Sequence, residues 1–76
     1  MNSAEAELAS ALRERLRIIG DEASRRDPER HLARLQAVSE RIDTLAKSLP
    51  QPIDARLGHY LARGSYDKAL ALLETL

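Results

Sequence analysis

Apolar residues in the first third of the chain recur at steps of three and four, which is the spacing of one face of an α-helix. At ~100° per residue, those that share one side between residues 3 and 24 are Leu8, Ala9, Leu12, Leu16, Ile19 and Ala23. Asn2 and Glu5 have the spacing of a capping box at the start of this segment. The pattern predicts a first helix over about residues 3–24, with Gly20 inside it as a weak point of ~1 kcal/mol relative to alanine.

The second predicted helix follows a clear break in the sequence RRDPER. Asp27 is a favourable N-cap residue, and Pro28 fits the first helical position, where no amide donor is needed. The apolar positions after this break again alternate at three and four and include a heptad spacing: Leu32, Leu35, Val38, Ile42, Leu45, Ala46 and Leu49. This spacing predicts a helix over about residues 28–49. Two long amphipathic helices joined by a few residues favour an antiparallel hairpin.

Prolines at positions 50 and 52 end the second helix, because proline cannot donate the helical hydrogen bond and biases its predecessor toward extended shapes. Asp54 and Ser65 are suitable N-cap residues for two further short helices, and Gly64 suits a left-handed turn between them. The predicted fold class is all-α, with a long antiparallel helical hairpin and a short C-terminal helix-turn-helix pair packed on it. The hairpin takes about 3–24 and 28–49, and the pair takes about 54–63 and 66–75. The chain length is consistent with a single helical domain, 1–76.

The C-terminal pair carries several residues at distinctive offsets, and these are Tyr60, Gly64, Tyr66, Ala69 and Leu73. With these residues, positions 53–76 resemble one hairpin of the tetratricopeptide repeat family, at the offsets of its inner-helix tyrosine, its turn glycine and its second-helix packing residues. The tryptophan and the Leu-Gly pair of that family's first helix are absent from their offsets. Residues 1–49 show no second copy, whereas stacked repeats require about three or more units. The resemblance thus implies a helix-turn-helix hairpin with small-residue packing at Ala69, and not an array with a concave groove.

Composition narrows the class of protein. Leucine, alanine, arginine and glutamate are abundant and favour helices, whereas phenylalanine, tryptophan and cysteine are absent. Without disulfides, a domain of this size often depends on a second subunit. Twelve basic residues balance twelve acidic ones, so no global charge favours nucleic acid or an anionic membrane. The acidic start of the chain and the lack of an apolar run of ~20 residues predict a soluble, cytoplasmic protein without a membrane segment.

Residues that could carry catalysis or bind a metal are scattered along the chain. His31 and His59 lie on different predicted helices, and neither has a histidine partner at i+4. His31 falls on the apolar stripe of the second helix, where we expect it to close the end of the hairpin with its polar edge toward the loop. Ser65 is accounted for by capping, and the glycines do not form a phosphate-binding loop. The sequence therefore predicts no catalytic, cofactor-binding or metal-binding residue, and a function that is not enzymatic.

Apolar residues spread over wide arcs on the first and last predicted helices. A surface helix normally shows a narrower stripe, so the last helix should pack against two neighbours, the second being either the long hairpin or another chain. The candidate partner-binding residues are Ile18, Leu72 and Leu76. Ile18 could instead cover the C-terminal helices within one subunit. The leading hypothesis is a non-catalytic helical protein-protein interaction module that binds another protein or associates with itself, as in a homodimer.

An alternative function rests on an arginine-rich edge of the second helix and the loop before it, formed by Arg25, Arg26, Arg30, Arg34 and Arg41. This edge could bind nucleic acid or an acidic partner, or it could be an ordinary solvated helix face. Glu22, Asp27 and Glu29 dilute its charge. The last helix begins with one lysine among acidic residues, which is poor chemistry for a DNA-reading helix. The sequence therefore argues against nucleic acid as the main partner.

Overall fold

The computed structural model describes residues 2–76, and within them every regular element is an α-helix. The helices are α1 (Ser3–Ile19), α2 (Glu22–Arg25), α3 (Pro28–Lys47), α4 (Ala55–Ala62) and α5 (Tyr66–Thr75). The all-α fold class and the long helix pair followed by a C-terminal pair are therefore confirmed.

The hairpin of α1 and α3 forms the main part of the core. Leu8 and Leu12 of α1 and Ile42 of α3 are at most 2% exposed, and each such burial contributes ~1.5–3 kcal/mol. The start of α1 is fixed by the predicted capping box. The amide of Glu5 donates to Asn2 Oδ1 at 2.8 Å, and the amide of Asn2 donates to Glu5 Oε1 at 3.1 Å.

The first predicted helix, over about 3–24, is divided in the structure. α1 ends at Ile19, and Gly20 is its C-cap in ordinary right-handed geometry, with φ −85°. The side chain of Asp21 accepts a hydrogen bond from the amide of Ser24 at 3.1 Å and caps α2. The carboxylate competes with a helical carbonyl for that amide, so the chain restarts as a new short helix. The prediction that Gly20 lies inside one continuous helix was wrong.

α4 and α5 form the predicted helix-turn-helix pair. Asp54 caps α4 by accepting hydrogen bonds from the amides of Arg56 and Leu57 at 2.8 and 3.3 Å. Gly64 adopts φ 70° in the turn, a left-handed geometry that glycine takes without strain. Ser65 occupies the N-cap position of α5 but makes no side-chain capping hydrogen bond. The capping interaction predicted for this serine is therefore absent.

α1 is the central helix of the molecule. α3 packs along one side of it, α5 packs on another side, and α4 packs against α5. Ala69 and Leu73 of α5 are fully buried, so α5 has two neighbours, as its wide apolar arc predicts. The longest dimension is 41 Å against 22 and 21 Å, and the radius of gyration is 12.9 Å, above the ~11 Å of a compact domain of this length. The long hairpin gives the molecule this elongated shape.

Candidate interaction surfaces

Three large apolar side chains of the described residues are exposed: Leu16 at 41%, Leu32 at 56% and Leu76 at 51%. Ile19 is partly buried but lies outside the packed core cluster. A single exposed leucine is ordinary in a folded protein. A group of aliphatic residues at one place needs an explanation, because such groups mark binding surfaces.

Leu16 and Leu32 lie at the same end of the hairpin. Leu16 is about one turn before the end of α1, and Leu32 is about one turn after the start of α3. The two helices are antiparallel, because they pack along each other and only residues 20–27 connect the end of α1 to the start of α3. Both leucines therefore lie beside α2.

The two leucines also lie on the same side of the hairpin, opposite a hollow between α1 and α3. The hollow has a volume of about 290 Å³ and is lined by Glu14, Ile18, Arg34, Ala37, Val38 and Arg41. At ~100° per residue, Leu16 falls on the flank of α1 away from the hollow, and Leu32 falls on the flank of α3 away from it. We call Leu16, Ile19 and Leu32 the hairpin-tip face.

The place where α5 crosses α1 explains why this face is left uncovered. The guanidinium group of Arg15 lies over the ring of Tyr66, with 4.9 Å to the centroid, and Arg13 pairs with Glu74 at 3.9 Å. Leu16 follows both contact points in the direction of α2. The sequence predicts Leu16 as a core residue, because its spacing matches that of the buried leucine one turn earlier. The difference in exposure between Leu12 and Leu16 depends on where α5 packs against α1.

The structure distributes the three predicted partner-binding residues over different environments. Ile18 is 3% exposed and lies beside Val38 at the hollow, so its side chain is covered within one chain by α3. Leu72 is 9% exposed, at the edge of a shallow groove of about 420 Å³ between α4 and α5. Leu76 is half exposed at the end of α5. Of the three, Leu76 is the one whose side chain is available to a partner without rearrangement.

A polar clasp ties α2 to α3 at the tip of the hairpin. Ser24 Oγ lies 2.9 Å from Nδ1 of His31, and Asp21 Oδ2 lies 3.3 Å from a guanidinium nitrogen of Arg34. The hydrogen bond from the amide of Ser24, followed by the one from Arg34, lowers the pKa of Asp21 below its ordinary value. The bond to Ser24 confirms that the polar edge of His31 reaches the connection between the long helices. The carboxylate of Asp21 binds Ser24 and Arg34, so the geometry is that of a structural clasp, not of a serine–histidine–aspartate triad.

The predicted arginine-rich edge is divided between two places. Arg25 ends α2 and Arg26 is its C-cap, both exposed at the tip. Arg34 and Arg41 line the hollow, and Arg30 lies one turn from Arg34 on the same edge of α3. The structure therefore brings the three arginines of α3 together along the hollow, and it places Arg25 and Arg26 outside it.

Metal-ligating side chains are not clustered in the part of the chain that the structure describes. No group of three or more histidine or acidic residues there could hold a metal ion. None of the helices among residues 2–76 has both the length and the hydropathy needed to span a bilayer. Comparison with models of known protein families, with curated proteins and with solved structures finds no match to this chain.

Proposed function

We propose that this chain is a non-catalytic helical protein-protein interaction module that associates with itself through the hairpin-tip face. The observation that carries the proposal is the exposure of Leu16 and Leu32 at one end and on one side of a hairpin whose other leucines are at least partly covered. A cytoplasmic location is part of this proposal, because a cysteine-free chain suits a reducing compartment.

A second copy can cover both leucines through a two-fold interface. In such an interface the same patch is used twice, so Leu16 of one copy meets Leu32 of the other and the reverse contact forms by symmetry. Two hairpin tips packed in this way make a short four-helix arrangement, in which each helix buries the flank that it exposes in the single chain. The elongated shape of the molecule leaves the tip accessible for this packing.

The free energy available from the exposed leucines limits the proposed dimer to a weak and reversible one. Full burial of a leucine contributes ~1.5–3 kcal/mol. Leu16 and Leu32 are about half exposed in the single chain, so a dimer can still gain about half of that free energy from each. The four leucines of a symmetric dimer thus contribute ~4 kcal/mol, to which Ile19 adds. Loss of translational and rotational freedom costs ~4–15 kcal/mol. The gain from the leucines at most equals this cost, so a dimer also needs the contributions of Ile19 and of polar contacts at the rim, and the interface we expect is of the small, transient class.

The charge of the tip is compatible with this contact. The formal net charge of the chain is zero, so two copies do not repel each other overall. Arg25 and Arg26 stand at the tip together with Glu22 and Asp27, so both signs are available for ion pairs at the rim of the interface.

Sedimentation equilibrium on matched leucine variants tests the proposal. The double variant Leu16→Glu/Leu32→Glu places charge on the hairpin-tip face, whereas Leu76→Glu makes the same change at a leucine of similar exposure on another surface. We expect the first to stay monomeric up to millimolar concentration and the second to associate as the wild type does. If Leu76→Glu abolishes association and the double variant does not, the interface is at the end of α5 and the proposal is wrong.

A further inference from the structure

The hollow on the other flank of the hairpin has an apolar floor. Ile18 and Val38 are 3% and 5% exposed, and Ala37 lies beside them. Its volume of about 290 Å³ is just below the ~300–1,000 Å³ found for ligand pockets. The hollow is an open depression between two helices, so it is suited to one or two side chains of a docking segment.

The rim of the hollow is basic along α3. Arg34 and Arg41 line it, and Arg30 lies one turn further along the same edge. Within residues 2–76, neither Arg30 nor Arg41 has an ion-pair partner within 4.0 Å. Arg34 uses one nitrogen for Asp21 and keeps further donors, because a guanidinium group has five N–H bonds. The rim therefore offers cationic donors above an apolar floor.

Glu14 is the carboxylate on the rim of the hollow. Its side chain is held by Arg17, which is the main cause of the lowering of its pKa, and the charges of Arg34 and Arg41 lower that pKa further. The charges of Arg34 and Arg41 therefore favour an ionised carboxylate beside them, and the pairing of Glu14 with Arg17 offsets part of the repulsion between Glu14 and a partner carboxylate.

The spacing of the arginines defines the partner. Arg34 and Arg41 are seven residues apart, which is about 10.5 Å along α3. On a second helix the same distance separates residues i and i+7, and a residue at i+3 or i+4 lies between them on the same face. We infer that the hollow binds an acidic amphipathic helix of another protein. Two of its carboxylates, two turns apart, pair with Arg34 and Arg41, and the aliphatic side chain between them packs on the exposed Ala37 and on the small exposed edges of Ile18 and Val38.

The chemistry of the hollow favours an acidic helix over nucleic acid. A phosphate backbone has no apolar group to place against Ala37, Ile18 and Val38, whereas a helix has an aliphatic side chain for this contact. A helix with charged edges and an aliphatic centre meets the cationic rim and the apolar floor together.

Peptide titration followed by NMR tests this inference on the full chain. The probe is a synthetic helical peptide with glutamates at i and i+7 and leucine at i+4, and its control carries glutamines in place of both glutamates. We expect the amide signals of Ile18, Ala37 and Val38 to shift with the acidic peptide. We also expect binding to weaken at least about tenfold with the glutamine peptide, because each charge-assisted hydrogen bond accounts for roughly that factor.

Two arginine variants provide the matched control on the protein side. Arg41→Gln should weaken peptide binding about tenfold and leave helicity unchanged, because Arg41 has no ion pair within the described chain. Arg63→Gln, an exposed arginine at the end of α4, should change neither. The inference fails if the glutamine peptide binds equally well, if no signal in the hollow moves at millimolar peptide, or if a DNA duplex binds the hollow more tightly. It also fails if Arg41→Gln abolishes self-association, since the occupant would then be a second copy.

Discussion

The hydroxyl group of Ser24 and Nδ1 of His31 lie 2.9 Å apart and join the short helix α2 to the start of α3. Ser24 is 7% exposed and is the buried polar side chain of the described residues. Its partner satisfies the hydroxyl group, so that burial does not leave a polar atom without a hydrogen bond. The clasp holds the connection across the end of the hairpin, next to the face proposed for self-association.

Removing the hydroxyl group tests the clasp. Ser24→Ala leaves the ring nitrogen of His31 without its partner, and we expect the free energy of unfolding to fall by about 1–2 kcal/mol. Ser10→Ala is the matched control, because Ser10 is exposed on α1 and should change stability by less than about 0.5 kcal/mol. Urea denaturation at low protein concentration measures both. Equal midpoints for the two variants would show that the hydrogen bond does not stabilise the fold.

Two leucines one turn apart on α1 should respond differently to truncation. Leu12 is 2% exposed and Leu16 is 41% exposed. Leu12→Ala leaves a cavity in the core and should cost about 2–5 kcal/mol, whereas Leu16→Ala should cost less than about 1 kcal/mol in the monomer. Leu16→Ala should instead reduce the concentration dependence of stability. A large loss of monomer stability in Leu16→Ala would show that the side chain belongs to the core.

Two glycines in open space should respond to alanine with opposite signs. A Cβ added at Gly58 or at Gly64 meets nothing within 4 Å, but Gly64 has φ 70° and Gly58 is inside α4. Gly58→Ala should stabilise the protein by about 0.5–1 kcal/mol through helix propensity. Gly64→Ala should destabilise it by about 1–2 kcal/mol, because the left-handed region is unfavourable for alanine. Thermal or urea unfolding measures the difference, and a shift in the same direction for both would contradict the assigned turn.

The charge of Asp54 should make part of the stability pH-dependent. The side-chain hydrogen bond from Arg56 is the main cause of the lowering of the pKa of Asp54, and the amides of Leu57 and Arg56 add to it. Because the folded-state pKa lies below the ordinary value of 3.8, this contribution is present above 3.8 and is lost as the pH falls through the folded-state pKa. Asp54→Asn keeps a capping side chain but removes the charge. Its urea midpoint should be lower than that of the wild type at neutral pH and should converge with it in strong acid. A constant difference across the titration would exclude the carboxylate as its cause.

Much of the fold follows from local sequence patterns. The steps of three and four define the hairpin, and Asp27 with Pro28 fixes the start of α3, because the side chain of Asp27 accepts from the amide of Arg30 at 3.2 Å. The break after Ile19 could not be predicted, because Gly20 and Asp21 are compatible with a continuing helix. The break forms because the amide of Ser24 donates its hydrogen bond to the side chain of Asp21 instead of to a backbone carbonyl of a continuing helix.

The candidate surface could not be predicted in the same way, because exposure depends on which neighbour crosses which turn. Leu16 and Ile18 illustrate the difficulty. The apolar stripe of α1 predicts Leu16 as core and places Ile18 beside the stripe, whereas the structure exposes Leu16 and buries Ile18 against α3. The paths of α3 and α5 across α1 decide both outcomes, and these paths are set by long-range packing rather than by local spacing.

Contacts between copies test the central proposal most directly. A mixture of isotopically labelled and unlabelled protein, at a concentration where sedimentation shows dimers, allows isotope-filtered NMR to detect contacts that cross the interface. We expect intermolecular contacts between the methyl groups of Leu16 and Leu32. A chain that stays monomeric at millimolar concentration, or intermolecular contacts at Leu72 and Leu76 with none at the hairpin-tip face, would contradict it.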